Sequence, residues 1–261
     1  MKKLLLLSGF YGKIPSQGDF IKRGMTMKFT EPWCKWIQNG FYHSREQLND
    51  TWKEHYLNSP IWHFVFTSPL YDNLWLGLMM PSTDQIGRYF PLMIAIPLPK
   101  QTPISALGDS AVLNCLIQAE QLALSTREAS LTLNLDDFNR QILKLSLSLY
   151  YLWERYHNPF FRLKSFLAKA FSNHGEMTKQ NAWQIPLSKT EDLPEYYQNA
   201  EKYLQESQWE TYSLWWTINS SSFPNRFLGC KGFPPADKFA ALLDGQWERW
   251  GWELPSAGER K

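Results

Sequence analysis

Two short segments leave the backbone of this chain little choice: residues 9–24, GFYGKIPSQGDFIKRG, and residues 81–91, PSTDQIGRYFP. Each mixes glycine, which enters positive φ freely, with proline, which fixes φ at about −65°. Such a mixture prescribes one irregular path and excludes a simple helix or strand. Charged side chains (Lys13, Asp19, Arg23, Asp84, Arg88) are held on those paths and framed by Phe20, Tyr89 and Phe90. The pattern predicts either a recognition surface or a structural lock.

Around these segments the hydrophobic spacing alternates between strand and helix. Residues 4–11, 61–67, 74–80, 92–98 and 211–217 read as strands, with residues 4–7 as the first buried run. The second segment therefore joins two adjacent strands, and the hairpin-like spacing of 61–67, 74–80 and 92–98 makes part of the sheet antiparallel. A helix is expected from Thr30 as cap, with Pro32 in its first turn, to about Leu48. A shorter one should run from residue 49 or 50 to 58. Residues 111–126 carry an apolar face, and Leu135, Phe138, Ile142, Leu145, Leu149 and Leu152 form a stripe better suited to packing on a sheet than to a coiled coil. Residues 174–191 read as loop, 196–206 as a surface helix and 235–243 as a closing helix. Helices on both faces of a central sheet follow: an α/β, three-layer α-β-α sandwich with a mixed, partly antiparallel sheet.

Composition narrows the function. A net charge of +2 over 261 residues, with basic residues scattered, gives no general attraction to nucleic acid or anionic lipid. The apolar run at residues 4–7 is shorter than the ~7–15 residues of a secretory signal, and no run approaches the ~20 of a membrane helix. Three distant cysteines, Cys34, Cys115 and Cys230, fit buried thiols in a reducing cytoplasm. The 16% of aromatic residues fits a Trp-rich core, with the surplus available to a partner-binding face.

No histidine stands in a catalytic or zinc-binding pattern with a serine or cysteine. The spacing of Gly9, Gly12 and Gly18 resembles a phosphate loop but lacks its Gly-Lys-Ser/Thr ending. No cofactor or metal is expected. Asp19, Asp84 and Arg88 remain as charged candidates, with Ser16 and Ser82 as possible nucleophiles. Asp19 and Arg88 can pair as a loop lock. Alternatively the two segments lie side by side and present Lys13, Arg23 and Arg88 to a protein partner, with Tyr89-Phe90 and Trp215-Trp216 as apolar anchors. As strand residues, Trp215 and Trp216 must point to opposite faces.

The motif residues Gly12, Lys13, Pro15, Ser16, Gly18, Asp19, Phe20 and Arg23, then Pro81, Ser82, Asp84, Gly87, Arg88, Tyr89, Phe90 and Pro91, carry a family resemblance. Pro32-Trp33, Ser44-Arg45, Trp52, Pro60-Ile61-Trp62 and the later Ser213, Trp215 and Trp216 add to it. The chain resembles the TagF (ImpM) family of the bacterial type VI secretion system. It departs from that pattern at Gln17, Cys34, Gln85 and Ile218-Asn219. The resemblance implies one TagF-like domain over residues 1–261, with a motif-bearing part (1–100), a helical part (101–156), a variable part (157–210), a closing strand and helix (211–250) and a tail (251–261). It further implies a cytoplasmic, non-enzymatic repressor that binds the forkhead-associated-domain scaffold of the secretion machinery. A cell-wall hydrolase using Asp19 and Asp84, and an architectural component of the apparatus, are the alternatives.

Overall fold

Strands β3 (Trp62–Thr67), β4 (Asn73–Met80) and β5 (Leu92–Pro99) form an antiparallel meander buried along almost its whole length. Continuous hydrophobic runs are what such strands need, because both of their faces are covered. The computed structural model describes residues 8–128, 133–156, 181–187, 189–218 and 223–254. Strands β1 (Gly9–Gly12), β2 (Ile21–Arg23), β6 (Ala182–Pro186), β7 (Tyr212–Trp216) and β8 (Arg226–Cys230) complete one sheet in the order β2-β1-β5-β4-β3-β7-β8-β6. The expected strand over residues 4–7 lies outside the described residues.

The sheet is antiparallel at every described pairing, which corrects the expectation of a mixed one. Parallel neighbours arise when a helical crossover links adjacent strands. Here the helical connections join strands that are not neighbours: β2 to β3, β5 to β6, and β6 to β7.

Helices α1 (Met27–Leu48), α2 (Trp52–Asn58) and α6 (Ala240–Asp244) contribute to the core on one face. Helices α3 (Ser110–Glu128), α4 (Leu135–Tyr156) and α5 (Leu193–Ser207) contribute to the core on the other. The strand alternation sorts side chains between two unlike cores. Leu74, Leu76, Leu78 and Met80 of β4, with Leu92, Ile94, Ile96 and Leu98 of β5, meet Phe138, Ile142, Leu145 and Leu149 of α4 in a mainly aliphatic layer. The opposite layer is mainly aromatic, and Trp33 touches Trp36, Phe64, Phe66, Trp215 and Phe233. The apolar stripe of α4 thus packs on the sheet as expected.

Three local readings change. Helix α1 begins one turn before Thr30, so Pro32 lies inside it. Proline cannot donate to the carbonyl four residues back, and the Tyr71 hydroxyl donates to that freed Lys28 oxygen at 3.2 Å. The stretch expected as loop contains β6, which pairs with β8. Helix α5 is no mere surface helix, since Leu193, Tyr197, Ala200, Tyr203 and Leu204 are buried.

Candidate functional site

The two glycine- and proline-rich segments become the β1–β2 and β4–β5 connections, and the sheet order brings them together because β1 pairs with β5. At their junction Gly12 has φ +138°, and a Cβ there would stand 2.0 Å from the Pro91 carbonyl oxygen. Only glycine lets the backbones approach so closely. Beyond it, a turn carries Pro15 and Ser16, closed by a hydrogen bond from the Gln17 amide to the Ile14 oxygen at 3.1 Å.

Asp84 is the hub. The buried Lys13 ammonium lies 2.8 Å from its Oδ2, and Arg88 Nε donates to the same oxygen at 2.6 Å. The amides of Ile86 and Arg88 donate to Oδ1 at 3.2 and 2.8 Å. Burial alone would raise the Asp84 pKa. The hydrogen bonds from Lys13 and from the Arg88 amide and guanidinium outweigh it and hold the carboxyl below the usual carboxylate range. Asp84 is therefore a fixed anion. The Asp84 carbonyl accepts from the Gly87 amide, whose residue turns at φ +80°, and Thr83 bridges to Tyr89.

Arg88 then joins the loops, its Nη2 donating to the Gly18 oxygen at 2.7 Å. Its expected partner Asp19 is exposed and stands 3.9 Å away, too far for a tight pair, and Asp19 Oδ1 accepts from the Phe20 amide. Asp84, not Asp19, holds the lock. Phe20 stacks on Tyr11, meets Phe90 edge-on at 4.8 Å and lies under the Lys13 ammonium at 4.9 Å. The Gln85 amide donates to the Gln17 oxygen at 2.9 Å, so two of the departures from the family pattern meet through backbone, whatever their side-chain charge.

Two braces escaped the sequence reading because their partners lie far off in the chain. The Tyr56 hydroxyl donates to the Ser82 oxygen at 2.9 Å and accepts from the Ser82 amide at 3.0 Å. Arg127 Nη2, near the end of α3, donates to the Pro81 oxygen at 2.9 Å. Tyr56→Phe is expected to lower stability by about 1–2 kcal/mol, because the buried Ser82 amide loses its acceptor, while the Ser82 oxygen keeps the Phe90 amide at 3.1 Å. Urea denaturation of the variant checks this.

The remaining expected residues go elsewhere. Arg23 faces Asp136 of α4 at 3.8 Å, so it does not join the Asp84 cluster. Ser82 is buried and its hydroxyl reaches only the Thr83 oxygen at 3.5 Å. Ser213, Trp215 and Trp216 lie on β7, four strands from β1, and all three are wholly buried. The tryptophans do point to opposite faces, but each face is covered, so both are core and neither can anchor a partner. Among the described residues no group of three or more His, Cys, Asp and Glu could hold a metal.

Both connecting loops and their braces Tyr56 and Arg127 fall in residues 9–145, which match the family model "TagF N-terminal domain, Type VI secretion system-associated". The chain belongs to the TagF family. A solved structure also resembles it: the crystal structure of PA0076 from Pseudomonas aeruginosa PAO1, at 26% identity and a TM-score of 0.63. That likeness covers 97% of this chain and 100% of the other. No curated protein matches the chain. The TagF match makes it an accessory protein associated with type VI secretion. No helix among the described residues is long and apolar enough to cross a membrane.

Proposed function

We propose that this TagF-family protein is a cytoplasmic, post-translational repressor of type VI secretion that docks on the forkhead-associated-domain scaffold through the tip of its two joined loops. One observation carries the reading: Ile86 is 71% exposed on a loop whose backbone is fixed by Asp84, with Phe20 44% exposed on the loop bonded to it. Apolar groups presented on a rigid frame bind at low entropic cost. Arg88 and Asp19, both exposed, supply a polar rim. The protein works by occupying a surface or favouring an inactive assembly, with no bond made or broken.

The site's chemistry favours docking over hydrolysis. Asp84 already accepts four N–H groups and is held ionised, so it has no proton to give at neutral pH. Asp19 is an exposed carboxylate.

Ile86→Asp and Phe20→Ser test this. Ile86→Asp should leave stability within about 0.5 kcal/mol, as a surface change, yet abolish co-purification of the scaffold and raise secretion of the tube protein. Undiminished capture by both folded variants would move the interface elsewhere. Silenced secretion on deletion of the gene would favour an architectural part over a brake.

A further inference from the structure

Ser44-Arg45 and Trp52 share the family pattern with the two loops, yet the loop tip makes no use of them. They form one unit where α1 ends and α2 begins. The Trp52 indole N–H donates to the buried Ser44 hydroxyl oxygen at 2.8 Å, which fixes the ring. Tyr56 stacks on that ring at 5.1 Å and Phe41 meets it edge-on at 5.0 Å. The Arg45 guanidinium lies over Trp52 at 4.5 Å and over Phe41 at 5.7 Å. The same rings carry the docking loop: Tyr89, next to Arg88, meets Trp52 edge-on at 5.4 Å, and Tyr56 holds Ser82.

A cation in the last turn of a helix suits the helix dipole, so position alone implies no ligand for Arg45. Its bonding does. Arg23, Arg88, Arg127, Arg140, Arg226 and Arg249 each have a hydrogen-bond or ion-pair partner. Arg45 is exposed and has neither among the described residues; its guanidinium touches rings instead. Stacking on a ring face uses none of its N–H donors, which lie in the guanidinium plane. A flexible side chain is thus held in one place with its donors unspent.

On the docking reading above, we infer that Arg45 is a second anchor of that surface and receives a carboxylate of the partner protein. A carboxylate matches the planar fork with two parallel hydrogen bonds. A phosphate dianion suits the place less well, because the carbonyl end of α1 and the adjacent Glu46 are negative. The Trp52 ring alone separates Arg45 from Tyr89 of the docking loop, so one footprint of about 800 Å² can cover both.

Isothermal titration of the full chain with the purified forkhead-associated-domain scaffold tests this. Arg45→Met keeps the stem over Trp52 but removes the fork, and should weaken binding at least about tenfold. Wild-type affinity should fall between about 50 and 500 mM salt more steeply than that of Arg45→Met, which lacks the screened ion pair. Arg45→Lys, charged but unforked, should also bind more weakly than wild type, and it serves if Arg45→Met folds poorly. Arg140→Met, on the opposite face of the sheet, should bind as wild type. Unchanged near-ultraviolet dichroism shows that each variant is folded. Weak binding by Ile86→Asp beside full affinity in both Arg45 variants would overturn the anchor and leave the loop docking standing. Full affinity in Ile86→Asp, or no wild-type binding, would remove the loop docking and the anchor with it. If phosphatase treatment of the scaffold erases the difference between wild type and Arg45→Met, the anion is a phosphate and the carboxylate assignment falls.

Discussion

Replacing Asp84 with alanine is expected to lower the unfolding free energy by about 3–5 kcal/mol, because it strands the buried Lys13 ammonium. The carboxylate also collects the amides of Ile86 and Arg88, so the loop loses its internal frame with its charge. Chemical denaturation gives the size of the effect, and a double variant gives its cause. Lys13→Met/Asp84→Leu removes both charges together and should recover most of the loss, since an apolar pair of similar volume costs far less than one orphaned ion. If the double variant were as unstable as Asp84→Ala, the backbone bonds to Asp84, and not the stranded charge, would carry the stability.

Acidification is the second large effect. His63 on β3 is wholly buried against Trp216, neither ring nitrogen has a hydrogen-bond partner, and Glu120 stands 3.4 Å from Nε2. Burial pulls the imidazole pKa from 6.5 down to about 4. Between those values the unfolded chain binds the proton and the folded chain does not, so stability is full above about pH 6.5 and falls as pH drops toward 4. The gap corresponds to about 3 kcal/mol. Burial raises the Glu120 pKa, which acts in the opposite sense and trims the loss on the acid side. Urea midpoints between pH 4.5 and 7.5 should show this slope, and His63→Leu should flatten it. An unchanged slope in that variant would place the acid sensitivity in other groups.

The centre of the fold was legible because β3, β4 and β5 are long apolar runs with turn residues between them. Strand β2 was not, since Ile-Lys-Arg buries one side chain and exposes two. Strand β8 is interrupted by Gly229, whose missing side chain is replaced by the Trp183 indole from the next strand, a substitution no local pattern reveals. Strand β6 is short, ends in proline and lies at an edge. The convergence of the two motif loops was readable from their composition. Which acid would close them was not, because Asp19 and Asp84 have equal claim to a cation until the β1–β5 pairing places Lys13 beside Asp84. The tryptophan pair misled for a related reason: opposite faces were foreseen, while the second covering layer depends on helices remote in the chain.

The unequal division of rings between the two sides of the sheet gives the molecule a built-in optical asymmetry. Among the described residues Trp33, Trp36, Trp52, Trp62, Trp75, Trp215, Trp247, Trp250 and Trp252 pack on one side, against Trp183, Trp209 and Trp216 on the other. Among the described residues most indoles therefore report on the layer beneath α1 and α2, so ultraviolet emission and near-ultraviolet dichroism weigh a loosening of that layer more heavily than one of the other.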